Sequence, residues 1–169
     1  MDLAIREARL DDAPAIADIS RRGWAAAYAG LLPRDFLARR ASAPLDGEWR
    51  EYMRSMPDRH VLLVAEETGR VVGFVRFGPA ADAKPEPVGD AEIYGLYVAP
   101  ERTGQGIGGA LVAAALGRLR ERGYRGAVLW PFTGSRAEDF YERAGFRFDG
   151  MARAEQETGV EERRWRIHL

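Results

Sequence analysis

Residues 92–119 read EIYGLYVAPERTGQGIGGALVAAALGRL and contain the pattern that decides the fold. The first part, EIYGLYVAP, is rich in β-branched and aromatic residues and predicts a strand that ends at Pro100. The last part predicts a helix from Gly106 to Arg122, because its apolar residues recur along one helical stripe. These residues are Leu111, Val112, Ala115, Leu116 and Leu119. A strand, a glycine-rich loop and a helix therefore follow one another directly.

Four glycines lie between positions 104 and 109, where this helix begins. Glycines there leave the backbone N–H groups of the first helical turn accessible to a phosphate, and the helix dipole favours its negative charge. The loop therefore predicts a pyrophosphate-binding site. The alternative is a flexible loop followed by a poorly formed helix start.

The same glycines also match a dinucleotide fingerprint, since Gly104, Gly106 and Gly109 spell GxGxxG. That fingerprint follows the first parallel strand of a βαβ unit, whereas this loop lies in the middle of the chain, after predicted antiparallel hairpins. A Walker loop is not predicted, because no Gly-Lys-Ser/Thr follows the glycines. An NAD-binding domain is one of three functional hypotheses for this chain.

The flanking sequence predicts short strands mixed with helices. The runs HVLLVAEE and RVVGFVRFG enclose Thr68-Gly69 and predict a tight antiparallel hairpin. Asp11 or Asp12 is expected to cap the first helix, and residues 79–89, with three prolines, to form a loop. Further strands are expected over residues 3–8, 126–130, 146–151 and 160–169, and further helices over residues 12–29, 33–40, 46–56 and 135–144. These elements indicate an α+β fold with a mixed sheet, in one domain over residues 1–169.

Composition excludes several classes of protein. There is no cysteine, which removes disulfides, thiolate zinc sites and a cysteine nucleophile, and no metal is expected. The net charge of −1, with basic residues spread among acids, gives no sign of nucleic-acid binding. WAAAYAGLL, residues 24–32, is too short to span a membrane, and the N-terminus does not resemble a secretion signal, so a cytoplasmic location is expected.

Two further stretches and their order point to one protein family. TGQGIG, residues 103–108, follows the predicted strand and opens the predicted helix. SRAEDFYERAGFRFDG, residues 135–150, comes later in the chain. Together with WAAAYAGLLPRDFL, residues 24–37, they make nearly the whole chain resemble the GNAT superfamily of acyl-CoA-dependent N-acetyltransferases.

The resemblance implies an acetyl-CoA site at the loop. TGQGIG occupies the family signature Arg/Gln-x-x-Gly-x-Gly/Ala, with Thr103 in the Arg/Gln position, an arginine displaced by one to Arg102, and Gly134 where an asparagine is common in the second motif. The residues expected to bind acetyl-CoA are Leu96, Tyr97, Val98, Arg102, Thr103, Gly104, Gln105, Gly106, Ile107, Gly108 and Gly109.

The resemblance also implies a three-layer fold: a twisted, mostly antiparallel sheet of about seven strands and about four helices, with a V-shaped splay between two parallel strands. Gly95 interrupts a strand and predicts a β-bulge. In the family, a bulge here admits the pantetheine arm, whose amides would pair with the backbone of Leu96 and Val98. Tyr94 and Tyr97 are expected on opposite faces.

Catalytic roles follow from the same resemblance. Tyr141 would lie near the CoA sulfur as general acid, with packing beside Phe140 as the alternative. Glu92 would relay the amine proton through water as general base, with an ordinary solvent-facing strand position as the alternative. Trp24, Tyr28 and Tyr94 are expected to bind the acceptor, with core packing as the alternative for Trp24. His60 and His168 are expected to be structural.

Two functional hypotheses share this site. The first is an N-acetyltransferase whose amine acceptor is framed by the first two helices, the 79–89 loop and the terminal hairpin. The second is a non-catalytic acyl-CoA binding or sensing module. The alternating terminal strand could leave an apolar edge for a homodimer, although a monomer fits the sequence as well.

Overall fold

The computed structural model describes residues 3–43, 45–80 and 89–169, which form one sheet with helices on both faces. The strands are β1 Leu3–Glu7, β2 Val61–Glu67, β3 Arg70–Pro79, β4 Ala91–Val98, β5 Gly126–Leu129, β6 Arg147–Ala154 and β7 Glu161–His168. The α-helices are α1 Ala13–Tyr28, α2 Arg34–Ser42, α3 Leu45–Arg54, α4 Ile107–Glu121 and α5 Arg136–Arg143. These ranges contain one helix more than the resemblance implied. Most of the expected 79–89 loop lies outside the described residues.

The strand order is β1-β2-β3-β4-β5-β7-β6, and every neighbouring pair except β4–β5 is antiparallel. The terminal strand β7 lies inside the sheet, where Trp165 pairs with Leu129 of β5 and Phe148 of β6. The expectation that this strand leaves a free edge is therefore wrong. Burial of its apolar residue Trp165 places β7 inside, and β6, whose residues are all exposed, takes the edge.

Two apolar layers enclose the sheet. On one face, the predicted stripe of α4 is buried against residues such as Val75 and Phe77. On the other face, Ile16 and Ile19 of α1 pack against Phe74. The structure is therefore a three-layer α+β fold with a mixed sheet, as predicted. No helix in the described part of the chain has both the length and the apolar character needed to cross a bilayer.

The β2–β3 hairpin agrees with the prediction from the sequence, and the start of α1 does not. Thr68 and Gly69 both have positive φ, 49° and 78°, which confirms the tight β2–β3 hairpin and matches a type I′ turn. Asp12 precedes α1, but its side chain does not cap the helix. Instead, the Asp12 carboxylate accepts hydrogen bonds from the Arg9 N–H and the Arg6 guanidinium, both at 2.7 Å. The capping expectation is wrong because these two donors hold the carboxylate away from the helix.

Candidate active site

The sheet opens between β4 and β5. These strands pair in parallel only at Ala91 with Ala127 and at Glu92 with Val128. Beyond Glu92, β4 continues beside β3 to Val98, whereas β5 ends at Leu129. The strands therefore diverge, which confirms the predicted V-shaped splay. Within the described residues, positions 93–98 of β4 have no strand partner on the side of the splay.

A β-bulge lies next to this opening. Arg76 of β3 is opposite Gly95, but the following residue, Phe77, is opposite Ile93. Tyr94 is therefore the extra residue on β4, and the bulge predicted at Gly95 is confirmed. Such a bulge sharpens the local twist and helps to turn β4 away from β5.

The bulge changes which way two tyrosines face. Tyr94 lies against the Arg76 guanidinium, 5.6 Å from ring centroid to guanidinium carbon, and Tyr97 packs on Phe74 at 5.6 Å between centroids. Arg76 and Phe74 are two residues apart on β3 and share a face. Tyr94 and Tyr97 therefore lie on the same face, and the expectation of opposite faces is wrong. The extra residue shifts the strand's alternation by one.

The glycine loop presents backbone donors at the start of α4. Gly104 and Gly106 have φ of 75° and 83°, a region that side chains disfavour, and α4 begins at Ile107. Within the described residues, the N–H groups of the first three α4 residues have no hydrogen-bond acceptor. The Thr103 hydroxyl donates to the Pro100 carbonyl at 2.8 Å and so braces the loop. This geometry suits an anion such as a phosphate.

Neighbouring side chains attach the loop to the fold. A Cβ added at Gly108 would lie 3.2 Å from the Phe140 ring, so α4 and α5 approach closely here. Arg102 forms an ion pair with Glu67 of β2, which ties the loop to the sheet. Direct contact of Arg102 or Thr103 with acetyl-CoA stays a prediction.

The loop differs from the glycine turn of an NAD-binding domain, even though it lies between two parallel strands. Because β4 and β5 are parallel and joined through α4, they do form a short βαβ unit. However, a 3₁₀ turn over Pro100–Arg102 separates the strand from the loop, and all other strand pairs are antiparallel. A dinucleotide fold instead places the glycines in a tight turn directly after a strand of a parallel sheet.

Tyr141 lies on α5 with its ring in the core. The centroids of Phe140 and Phe146 are 5.0 and 5.6 Å away. The side chain is buried, and its hydroxyl is within electrostatic reach of Tyr28. Burial, and secondarily Tyr28, raises the pKa of Tyr141 above its ordinary value. The hydroxyl is therefore protonated at neutral pH, and its role as a proton donor stays a prediction.

Tyr28 and Trp24 belong to an aromatic cluster at the end of α1. The Tyr28 and Tyr97 hydroxyls interact with each other, and burial raises the pKa of both phenols. The Tyr28 ring lies 4.8 Å from Trp24 and 5.0 Å from Phe132. The Arg40 guanidinium covers Trp24 at 4.3 Å. Trp24 therefore packs within the cluster, and its contact with an acceptor stays a prediction.

Glu92 and Tyr94 are neighbours on the face covered by α1 and α3. Burial first, and the Glu92 carboxylate second, raises the pKa of Tyr94. The Tyr94 hydroxyl donates to the Pro79 carbonyl and lies 3.3 Å from Nε2 of His60, whose Nδ1 is 3.4 Å from the Tyr52 hydroxyl. Because the Tyr94 hydrogen goes to Pro79, Nε2 is the donor to Tyr94. In the neutral ring, which burial favours by lowering the pKa of His60, Nδ1 accepts from Tyr52, so His60 links α3 to β4.

Two residues of this region are not singled out by the sequence. Arg76 projects beside Tyr94, but an arginine in an alternating strand looks like any solvent-facing residue. Phe132 reaches the Tyr28 cluster from a segment with no predicted element. The predicted bulge at Gly95 could have pointed to Arg76, because Arg76 is the β3 residue opposite Gly95.

The model of the Acetyltransferase (GNAT) family matches residues 23–146, which include the splay, the loop and α5. The chain belongs to the GNAT acetyltransferase family. GNAT proteins are acyltransferases, so the enzyme class implied by the resemblance is confirmed.

This GNAT protein is 30% identical over 141 residues to the uncharacterized N-acetyltransferase YuaI of Bacillus subtilis, over 83% of this chain and 78% of the relative. Its fold is similar to that of PaiA N-acetyltransferase of Thermoplasma acidophilum, solved in complex with coenzyme A, with a TM-score of 0.72, 19% identity and all of both chains covered. For yncA of Salmonella typhimurium, solved with acetyl-CoA, the TM-score is 0.75 at 21% identity, covering 100% of this chain and 95% of that one.

Proposed function

We propose that this GNAT protein, as one domain over residues 1–169, transfers an acetyl group from acetyl-CoA to a primary amine of a small molecule or peptide, by direct attack in a ternary complex. The observation that carries the proposal is the splay between β4 and β5 together with the start of α4, whose first N–H groups have no acceptor within the described residues and whose Gly108 approaches Leu96 of β4. The Tyr141 hydroxyl is within electrostatic reach of Tyr97 on the same strand. The N–H groups at the start of α4 supply a surface for the pyrophosphate. The solved relatives with coenzyme A or acetyl-CoA support this choice of donor.

Each proposed step moves one bond or one proton. The amine nitrogen attacks the thioester carbonyl carbon, and collapse of the tetrahedral species breaks the C–S bond. Glu92, directly or through water, takes the proton that the amine nitrogen loses. The departing thiolate takes a proton from Tyr141, which recovers one from solvent. The products are the amide and free CoA thiol, with no covalent enzyme intermediate.

The raised pKa limits what Tyr141 can contribute. An ordinary thiol has a pKa of about 8.5 and an ordinary phenol about 10, so complete transfer from tyrosine to thiolate is already uphill. Burial increases that difference. Tyr141 therefore acts mainly as a hydrogen-bond donor to the sulfur as negative charge develops, completing the proton transfer late.

Two measurements on the purified chain test this function. Calorimetric titration with acetyl-CoA, CoA and NAD is expected to show binding of the first two only. Thiol release from acetyl-CoA is then followed with a panel of primary amines, and at least one amine is expected to accelerate it. Absence of acetyl-CoA binding by the folded protein would contradict the proposal, and NAD binding would favour the dinucleotide alternative.

The non-catalytic module makes a different prediction for the same experiments. It binds acetyl-CoA, but no amine increases thiol release. Membership of the GNAT family favours the enzyme, because GNAT proteins are acyltransferases. A cytoplasmic location and self-association stay predictions of the sequence.

A further inference from the structure

Arg76 lies on the acceptor side of the proposed site. It is on β3, directly opposite Gly95 of the bulge, and on the same face as Tyr94 and Tyr97. Its side chain is partly exposed. The position is therefore one strand away from the opening of the sheet.

Aromatic rings surround the Arg76 guanidinium. Its central carbon lies 4.9 Å from the ring centroid of Tyr52, 5.6 Å from Tyr94 and 5.8 Å from Trp49. Two of these rings belong to α3, so the helix and the strand together hold the guanidinium in one place. Cation–π contacts of this kind orient an arginine without neutralising its charge.

Arg76 has no carboxylate partner in the described part of the chain. Other arginines on the sheet do, since Arg6 pairs with Asp12, Arg153 with Glu162 and Arg166 with Asp90. The Tyr52 hydroxyl is its polar neighbour. A guanidinium has five N–H donors in a planar fork that fits a carboxylate bidentately, and most of these donors are left for another group.

The register relates Arg76 to Glu92. Glu92 is opposite Gly78, which is two residues beyond Arg76 on β3 and on the same face. Two strand residues span about 6.6 Å. Gly78 leaves room there for Tyr94 and His60, since an added Cβ would lie 2.9 and 3.0 Å from them. One small molecule could therefore place its amine near Glu92 and its anionic group at Arg76, with only a few bonds between these two groups.

We propose that Arg76 binds the carboxylate of the acceptor, so that the substrates are small amines that carry a carboxylate, as amino acids do. This inference rests on the proposed acetyl transfer. Arg76 is then a specificity-determining residue: it holds the acceptor by its acid group and leaves the amine free to reach the thioester.

The test compares free amino acids with their carboxamides, which keep the amine and side chain but lose the negative charge. The wild type is expected to acetylate at least one amino acid with a KM about 10- to 100-fold below that of its carboxamide, the range for one charge-assisted contact. In Arg76→Gln that advantage is expected to disappear, measured as the ratio of the two KM values within the variant, while the calorimetric Kd for acetyl-CoA stays unchanged. Arg76→Lys, which keeps the charge without the fork, is expected to be intermediate.

Arg70→Gln, at the exposed start of the same strand, is the matched control and should keep the wild-type preference. Thermal unfolding of each variant separates binding from folding, and the calorimetric stoichiometry of acetyl-CoA binding reports the folded fraction of each preparation. Equal use of acids and carboxamides by the wild type, or acceptors found only among amines without a carboxylate, would overturn the role of Arg76 and leave acetyl transfer standing. Loss of acetyl-CoA binding would instead overturn the proposed function.

Discussion

The Tyr97 hydroxyl of β4 interacts with the Tyr28 hydroxyl at the end of α1, and both lie within electrostatic reach of the Tyr141 hydroxyl. The pair connects the strand that borders the splay to the helix expected to frame the acceptor. Close packing permits it, because Gly23 of α1 lies against Tyr97, where an added Cβ would be 2.8 Å from the ring.

A double-mutant cycle on this pair tests the contact. Tyr97→Phe, Tyr28→Phe and the double variant are compared by urea unfolding. The coupling free energy is expected to be about 0.5–1.5 kcal/mol, the usual net value of one hydrogen bond. Tyr124→Phe is the control, because its buried hydroxyl has no partner within the described residues and its loss should cost little. Additive effects of the two changes would mean that the hydroxyls do not interact.

Tyr141→Phe tests the proton donor. The variant is expected to lose about 100-fold or more in kcat, while its calorimetric Kd for acetyl-CoA stays within the error of the wild type. Since the pKa of Tyr141 is raised above the ordinary value of about 10, the wild-type rate should show no alkaline decline from this group below that pH. A variant with full activity would assign Tyr141 to packing alone.

Gly106→Ala and Gly117→Ala separate loop conformation from helix propensity. Gly106 has a φ of 83°, so alanine there should cost about 1–2 kcal/mol or force the loop to move, and acetyl-CoA binding should weaken. Gly117 lies inside α4 with space around its Cβ, so the same substitution should stabilise the protein by about 0.5–1 kcal/mol and leave binding unchanged. Equal acetyl-CoA affinities for both variants would contradict the proposed phosphate site.

His60 predicts a specific pH dependence of stability. Burial lowers its pKa in the folded protein below the ordinary value of about 6.5, so the unfolded chain binds the proton more readily. The His60 contribution is therefore complete above that pH and is lost as the pH falls below it. Unfolding free energies of the wild type and His60→Gln, measured from pH 8 to 5, should converge at the acidic end. His168→Gln, at an exposed strand end, is the control, and a pH-independent difference for His60→Gln would refute this role.

Local patterns predicted most of the fold. The sequence alone predicted the Thr68-Gly69 turn, the α4 stripe and the bulge at Gly95, because each depends on backbone conformation or on periodicity within one element. The placement of β7 could not be predicted from the sequence, because it depends on which strand buries Trp165 in the assembled sheet.

The candidate site was predicted only in part. The glycine loop and Tyr141 carry short motifs; the loop lies at the start of α4, and Tyr141 is buried on α5 within electrostatic reach of Tyr97 on β4. The Tyr28–Tyr97 contact and the surroundings of Arg76 join residues from elements far apart in the sequence. Such contacts follow from packing of helices on the sheet, which no local pattern reports.

The extra residue Tyr94 shifts the alternation of side chains between the two faces of the sheet by one position for every later residue of β4. Upstream of it, Ile93 faces the α4 core, and downstream Leu96 and Val98 face that same core only because the count has changed by one. If β4 kept Tyr94 but paired with β3 without the bulge, every later side chain of the strand would reverse, sending Tyr97 into the α4 core and two aliphatic residues toward α1. The strand therefore cannot be straightened without exchanging the contents of both cores, so the geometry of the opening is protected by the stability of the whole domain.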